Sequence, residues 1–309
     1  MALEQEPPKM LLEAGRIAAE VREYAAGLVE AGESCRRVCE LVEERIRSLG
    51  AVPAFPCNIS LNSVAAHYTP GLRDDCTIAE GSVVKLDVGA AVEGYIADTA
   101  VTVDLGGGPR GLVDASVEGL QAAMKVLKPG VRFYDIGRAV EQTVRRRGFK
   151  VVKNLSGHTI DRYVIHAGLS IPNYGDRTAW IHRVKPGMTF AIEPFATNGR
   201  GLVREGSTVN IYAYTGRRPR TMLGGLEERI LRHVAEKYKT LPFTPRWLKG
   251  MAGDEEVERA VKLLARLGAL HGYPVLIEAG GGLVAQAEHT FYALRGGVVV
   301  VTEKGQPTI

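Results

Sequence analysis

The stretch VVKLDVGAAVEGYIADTAVTVDL, residues 83–105, predicts two β-strands joined by a turn. Asp87 lies in the middle of the first predicted strand and Asp98 in the middle of the second. If the turn is centred between Val92 and Glu93, the two carboxylates face each other with Cβ atoms roughly 4.5–5.5 Å apart. Because Val, Leu and Ile flank both residues, water alone would not separate these charges, and their placement needs a physical reason.

Three arrangements would relieve the repulsion within this hairpin. A different register could turn both side chains to solvent, one carboxyl could hold a proton, or a cation could lie between the two. The hairpin by itself leaves these three interpretations open.

The composition is that of an ordinary globular protein. The chain has 309 residues, of which 45% are hydrophobic and 24% charged, and its formal net charge is +4. A small, interspersed charge predicts neither a nucleic-acid nor a membrane surface. The first residues lack the plan of a signal peptide, and no segment approaches 18 apolar residues.

The four cysteines do not suggest a disulfide framework. Cys35 and Cys39 fall on the apolar face of a predicted helix and are expected in the core, while Cys57 and Cys76 have no CxxC partner. This usage favours a reducing, cytoplasmic location.

The order of predicted elements repeats within the chain. A helix, Gly32, a second helix and Gly50 are followed 98 residues later by a helix, Gly130, a helix and Gly148. Downstream, GSVVKLD parallels GMTFAIE, so Asp87 and Glu193 occupy matching places. The sequence therefore predicts an α+β protein of two similar halves. The four helices are expected at 9–31, up to Leu49, 112–128 and 133–147.

Residues 216–271 depart from this plan. GGLEERILRHVAEKYKT and DEEVERAVKLLARLGAL predict two amphipathic helices, and the final strands VLIEAGGGLVAQAEHTFYAL and GVVVVTEK follow them. We therefore expect one catalytic domain over residues 1–309 that carries 216–271 as a helical insertion subdomain.

Further acidic and imidazole side chains occur on apolar predicted strands. NLSGHTIDRYVIHAG contains His158 and His166, FAIEPF contains Glu193, VAQAEHTFYAL contains Glu288, and VAAHYTPG contains His67. Each residue alone is more often structural than functional. Together they indicate a site, because unpaired buried charges are costly.

A charge count points to divalent metal ions. Asp87, Asp98, Glu193 and Glu288 carry four negative charges, which two divalent cations would balance, with His158 as a neutral fifth ligand. Carboxylates and imidazole without thiolate suit Mn, Fe, Co or Zn in an open site rather than a closed structural zinc. A pair of ions roughly 3.5–4 Å apart is an arrangement used for hydrolysis.

Four motifs resemble those of a known family. LDVGAAVEGYIADTA, GHTIDRYVIHAG, FAIEPFATNGRG and QAEHT are similar to the type II methionine aminopeptidases of metallopeptidase family M24, in their short archaeal form. The resemblance implies the pita-bread fold, with two pseudo-symmetric halves around a dinuclear metal site and a winged-helix-like insertion. It also implies removal of an N-terminal initiator methionine from nascent chains when the next residue is small.

The resemblance implies a role for each metal ligand. Asp87 would bind one ion, His158 and Glu193 the other, and Asp98 and Glu288 would bridge the two. Glu193 would also move the proton between the attacking water and the leaving amine.

The resemblance likewise assigns the substrate contacts. His166 would contact the substrate backbone, His67 would stabilise the tetrahedral intermediate, and Phe55, Ile165 and Tyr273 would line the pocket for the methionine side chain. It further suggests a monomer. We also expect transient ribosome association, and the charge and hydropathy predict no sequence-specific nucleic-acid partner and no membrane.

Two positions depart from the family pattern. Ala287 precedes Glu288 where a bulky Phe is expected, which questions the packing behind that carboxylate. Asp161 stands where Gly is common and is expected to alter the pocket rim.

Two alternative functions remain open. A prolidase-like Xaa-Pro dipeptidase shares the five metal ligands, although its Glu motif reads differently from EPFATNG. A catalytically inactive pita-bread protein that binds ribosomes or RNA would lack some of these ligands.

Overall fold

The computed structural model describes residues 6–303, and the last residue of the predicted strand GVVVVTEK lies outside them. Six α-helices form in this range: Lys9–Ala26 (α1), Cys35–Ser48 (α2), Leu112–Val126 (α3), Phe133–Arg146 (α4), Gly225–Lys237 (α5) and Asp254–Arg266 (α6). The strands of the first half are Val52–Pro53 (β1), Asn58–Leu61 (β2), Val64–Ala66 (β3), Val83–Val92 (β4) and Tyr95–Asp104 (β5). Those of the second half are Lys150–Val151 (β6), Ser156–Ile160 (β7), Ser170–Pro172 (β8), Thr189–Ile192 (β9), Phe195–Thr197 (β10), Val203–Tyr214 (β11), Leu270–Glu278 (β12), Val284–Gln286 (β13), His289–Ala293 (β14) and Val298–Val300 (β15).

A tight two-residue turn connects β4 and β5. Val92 pairs with Tyr95, so Glu93 and Gly94 alone form the turn, with φ angles of 50° and 86°. Two positive φ angles in succession are typical of the turn whose twist matches that of the flanking strands, and Gly adopts such a φ without steric cost.

This register differs from the predicted one. Asp87 lies opposite Ala100 and Asp98 opposite Gly89, so the expectation that the two carboxylates face each other directly was wrong. They are diagonal neighbours on the same face, because a shift of two residues preserves the face that a side chain occupies. The repulsion inferred from the sequence persists, because the Asp98 charge contributes to raising the pKa of Asp87.

The predicted repeat is present in the backbone. Gly32 and Gly130, each with a φ of 86°, donate their amide N–H groups to Ile78 at 2.7 Å and Val184 at 2.8 Å. Ile78 and Val184 have the same spacing along the chain as Asp87 and Glu193. The two halves therefore use one plan, and the paired helices are slightly shorter than predicted.

Each half encloses its own hydrophobic core. Helix α1 packs on β4 and β5, and α2 packs on α1, β1 and β2, with Cys35 and Cys39 fully buried in this core, as predicted. Helices α3 and α4 pack on each other and on strands of the second half, and their core includes Phe133, Phe190 and Phe291. No helix within residues 6–303 combines the length and the apolar character that crossing a bilayer requires.

The segment 216–271 contains the two predicted helices, α5 and α6, between β11 and β12. They form a third core, which includes Leu231 and Val261 and also buries Leu72 from the first half. Its delimitation as a subdomain stays a prediction.

Two sheets meet next to the β4–β5 hairpin. Ala100 of β5 and Glu288, which directly precedes β14, exchange both backbone hydrogen bonds, at 3.4 and 3.2 Å. This bridge joins the four-stranded sheet of β1, β2, β4 and β5 to the five-stranded sheet of β15, β14, β9, β7 and β8. The carboxylates of both halves thereby come to one place.

Candidate metal centre and substrate cavity

The structure brings together the five side chains that the sequence predicts as metal ligands. Asp87 and Asp98 project from β4 and β5, and His158 from β7. Glu193 and Glu288 lie just outside strands rather than within them, because β9 ends at Ile192 and β14 begins after Glu288. The residue after Glu193 is a proline, which has no amide N–H to continue the ladder.

The imidazole of His158 lies beside two of these carboxylates. Its Nε2 is 3.5 Å from Oδ2 of Asp98 and 3.7 Å from Oε1 of Glu193. One ligand atom each of Asp98, His158 and Glu288 lies within 4.8 Å of the others. These separations allow one cation to contact all three side chains.

Burial changes the acid–base properties of these groups strongly. Burial, followed by the charges of neighbouring carboxylates, raises the pKa of Asp87, Glu193 and Glu288 well above the ordinary value, and burial raises that of Asp98 to about 7. Burial also lowers the pKa of His158 to about 4, so this imidazole is neutral at pH 7. A cation bound among these side chains would lower the pKa of the carboxyl groups, because it favours their ionised form, and the neutral imidazole could bind it as well.

Several buried polar atoms of this group have no hydrogen-bond partner among residues 6–303: Oδ1 of Asp87, Oδ1 of Asp98, Nδ1 of His158 and Oε1 of Glu288. Buried polar atoms are normally paired, so unpaired acceptors clustered in one place indicate a ligand. Carboxylate and imidazole donors are those that divalent transition metals bind. The residues present therefore fit a divalent metal.

Gln286 belongs to the same cluster but was missed in the sequence. Its Nε2 lies 3.2 Å from Glu288, 3.4 Å from Glu193 and 3.5 Å from Asp87, so one amide faces three carboxylates. The sequence feature that could have revealed Gln286 is its position two residues before Glu288, which places both side chains on the same face of an extended segment.

Threonine side chains fix the backbone that carries the carboxylates. Thr290 Oγ1 accepts from the Asp98 amide at 2.8 Å and donates to the Asp98 carbonyl at 2.7 Å. Thr99 Oγ1 donates to the carbonyl of Glu288 at 2.7 Å. These bonds join β5 to Glu288 and to β14, and hold Asp98 and Glu288 in a fixed relation.

A cavity of about 380 Å³ opens next to the carboxylates. All the predicted substrate-contacting residues line it, and so do four of the predicted ligands, whereas Glu288 lies behind the wall at 1% exposure. The predicted lining residues are Phe55, His67, Ile165, His166 and Tyr273. Apolar lining residues that the sequence did not single out are Ala66, Leu155, Leu169, Phe195, Ile211, Pro242 and Leu276.

Three aromatic rings border the cavity beside the carboxylates. His166 packs edge-on against His158 with centroids 4.5 Å apart, and Tyr273 lies between His67 at 5.7 Å and His166 at 5.9 Å. His67 Nδ1 is 3.3 Å from the carbonyl oxygen of Pro274. Burial, followed by the charge of His166, lowers the pKa of His67 to about 4. His67 is therefore a neutral group with one nitrogen held by the backbone.

The two departures from the family pattern have different outcomes. Ala287 is buried in the core of the second half, so a small residue there still packs. Asp161 lines a second cavity with Arg162 and Pro8 and is not among the residues that line the first, so its effect on the rim stays a prediction.

Sequence and structure comparisons place this geometry in one class of protein. Residues 9–213 match metallopeptidase family M24, and the chain belongs to this family. A relative from Pyrococcus abyssi named methionine aminopeptidase is 46% identical over 293 residues, which are 95% of this chain and 98% of that protein. The family and the relationship to methionine aminopeptidases are thus as predicted.

Solved structures confirm the fold. A methionine aminopeptidase from Thermotoga maritima superposes with a TM-score of 0.69 at 23% identity, covering 98% of this chain and all of that chain. A prolidase from Pyrococcus furiosus gives a TM-score of 0.62 at 18% identity, covering 98% of this chain but 66% of that chain. The predicted pita-bread fold is therefore confirmed, and membership of a metallopeptidase family implies the use of divalent metal.

Proposed function

We propose that the protein is a methionine aminopeptidase that removes the initiator methionine from nascent chains whose second residue is small. The observation that carries the proposal is the contact between a buried carboxylate and imidazole cluster and a cavity of about 380 Å³ whose wall includes apolar side chains. An unbranched thioether suits such a cavity because it is apolar and flexible. The high identity to the Pyrococcus abyssi relative over nearly its whole length supports the same activity.

We assign two divalent ions to the cluster, chosen from Co, Mn, Fe and Zn. Asp87, Asp98, Glu193 and Glu288 would hold these ions and balance their charge, Asp98 and Glu288 would contribute to both ions, and His158 would be the neutral ligand. When bound, such a pair polarises the scissile carbonyl and supplies hydroxide at neutral pH.

The chain's own residues perform the remaining steps. Glu193 lines the cavity and lies 3.7 Å from His158, where it can take the proton of the attacking water and pass it to the leaving amine. His166 contacts the backbone of the bound peptide. With its Nδ1–H given to the Pro274 carbonyl, neutral His67 has no second N–H, so it stabilises the oxygen that gains charge in the tetrahedral intermediate by taking up a proton on Nε2, which the developing negative charge favours.

The apolar wall selects the first side chain. Phe55 and Ile165 are buried at 7% and 6% exposure in one cluster, and Tyr273 borders the same cavity. Removing one methylene-sized contact from such a pocket typically changes discrimination by about 10–200-fold.

We extend the proposal to the cell location and the assembly state. The proposal places the protein in the cytoplasm as a monomer that meets nascent chains, with transient ribosome association. The free thiols of Cys35, Cys39, Cys57 and Cys76 support a reducing compartment.

Two substrates separate this proposal from the prolidase-like alternative. The protein is stripped of metal with a chelator and reloaded with one kind of divalent metal. It is then incubated with Met-Ala-Ser or with an Xaa-Pro dipeptide, and the release of free methionine or proline is measured. We expect metal-dependent release of methionine and none of proline. Cleavage of only the Xaa-Pro substrate would replace the proposal, and metal-bound protein inactive on both would favour a binding role. Glu193→Gln is the matched inactive control.

A further inference from the structure

The backbone at His67 is unusual. His67 follows β3 directly and has a φ of 63°, a left-handed conformation that residues other than glycine seldom adopt. Such a conformation persists only when the surrounding structure holds it. The Pro274 carbonyl contacts the imidazole at 3.3 Å, and the Tyr68 carbonyl accepts from Ile59 at 2.8 Å.

Thr69 and Pro70, which follow Tyr68, accept hydrogen bonds from an arginine of the segment 216–271. Arg246 Nε donates to the Pro70 carbonyl at 2.8 Å, and its Nη2 donates to Thr69 Oγ1 at 3.1 Å. Arg246 lies in the short 3-10 helix Pro245–Leu248, between α5 and α6, and is 8% exposed. The guanidinium therefore connects the helical segment to the loop that begins at His67.

A buried carboxylate from the first half orients this arginine. Glu43 of α2, at 1% exposure, accepts from Arg246 at 2.8 and 3.3 Å and from Trp247 Nε1 at 2.7 Å. The same carboxylate accepts from the amide of Cys57 at 3.3 Å. Cys57 follows Phe55 of the cavity wall by two residues, so one ion pair contacts both segments that border the cavity on this side.

Stability alone does not account for this arrangement. Burying an ion pair carries a desolvation cost that apolar residues of similar volume avoid, whereas such a pair can specify one conformation. Here the oxygens of Thr69 and Pro70 complete the hydrogen bonding of Arg246, so the pair specifies the conformation of the loop after His67.

We propose that Arg246 and Glu43 are positioning residues that fix His67, and that the segment 216–271 thereby takes part in building the active site. The inference rests on the proposed function, because His67 acts there on the tetrahedral intermediate. Displacement of a catalytic group by about 1 Å can cost about 100-fold in rate.

The first test compares Arg246→Met and Arg246→Lys with unaltered protein on Met-Ala-Ser, below the melting temperature of each. We expect kcat to fall about 10- to 100-fold in Arg246→Met, with little change in KM or bound metal, and partial recovery in Arg246→Lys. Unchanged kcat with a lowered melting temperature would overturn the proposal. Arg73→Met is the matched control, because Arg73 also joins this loop to the segment through Glu255 at 2.8 Å but is exposed, so we expect less than about a 2-fold effect.

A second variant guards against loss of folding. The double change Glu43→Leu with Arg246→Met removes both charges together and should fold, since no buried charge is left unpaired. Thr69 and Pro70 lose their hydrogen bonds from Arg246 in this double variant, so kcat should stay low. Full activity in this double variant would show that neither residue positions His67.

A double-mutant cycle with His67→Ala tests the route of the effect. If Arg246 acts through His67, Arg246→Met should lower kcat in the native background and change it little in the His67→Ala background. Equal losses in both backgrounds would overturn the proposal.

A readout independent of catalysis separates this inference from the proposed function. With 15N-labelled histidine, Arg246→Met should shift the ring resonances of His67, assigned by their loss in His67→Ala. An unshifted His67 signal would refute the positioning role. Absence of methionine release from unaltered, metal-loaded protein, with the shift present, would refute the function alone.

Discussion

Removing the metal should make the stability of this protein fall as pH rises. Burial raises the pKa of Asp98 from 3.8 to about 7 in the folded state. That rise of about three units corresponds to about 4 kcal/mol, because one pKa unit is worth about 1.4 kcal/mol. Asp87, Glu193 and Glu288 shift in the same direction and add to the effect.

The sign follows from proton binding. Below about pH 3 the Asp98 carboxyl is protonated in the folded and unfolded states alike, so it contributes nothing. As pH rises further, the unfolded chain releases this proton while the folded protein keeps it, and the free energy of unfolding decreases. The decrease reaches about 2 kcal/mol at pH 5 and is complete, at about 4 kcal/mol, above pH 7. Bound divalent ions should remove this loss because they stabilise the carboxylate form.

Urea unfolding between pH 5 and 8.5 measures the effect. Metal-free protein is compared at each pH with metal-free Asp98→Asn, which lacks the titrating group. This comparison also cancels the buried neutral imidazoles of His67 and His158, whose lowered pKa values of about 4 give the opposite slope below pH 6.5. The exposed Glu44→Gln is the control for loss of one acid. A constant difference between native and Asp98→Asn protein across this range would refute the reasoning, and so would one that moves in favour of the native protein as pH rises.

Three further predictions concern the cavity and the cluster. Gln286→Glu puts an acid where an amide now faces three carboxylates, so calorimetry should show a larger gap in melting temperature between metal-free and metal-loaded protein; an equal gap would contradict this. His67→Ala should lower kcat about 100-fold or more while elemental analysis finds the metal retained; loss of metal would assign His67 a different role. In Gly89→Ala, the new Cβ would lie 2.3 Å from the Phe55 ring and push it into the cavity, so KM for Met-Ala-Ser should rise and stability should fall by about 1–3 kcal/mol. Gly296→Ala, with no atom within 4 Å of its Cβ, should change neither, and wild-type KM in Gly89→Ala would mean that this wall does not select methionine.

The sequence was most informative where chemistry contradicts its surroundings. A carboxylate between apolar residues stands out in the sequence. Asp87, Asp98, Glu193 and Glu288 were therefore singled out as candidate site residues from the sequence alone. The repeat was also visible, because positions such as Gly32 and Gly130 follow from local backbone geometry. Glu93–Gly94 was a recognisable two-residue turn, and its neglect produced the error in the hairpin register.

The residues that the sequence did not reveal are ordinary in their local context. Gln286 becomes distinctive only when three carboxylates from separate strands surround its amide. Arg246 and Glu43 are 203 positions apart, and nothing near either residue indicates that they form an ion pair. Phe195 and Ile211 read as core residues until the cavity beside them is seen.

The sequence by itself determined the class of the fold, the two-fold repeat and the identity of the acidic and imidazole groups, because these depend on periodicity and on residue type. The tertiary structure alone decided how those groups lie relative to one another, which amide joins them, and how the segment 216–271 reaches the loop after His67. These relations arise from the packing of strands and helices that are distant along the chain, and local patterns carry no information about such distances.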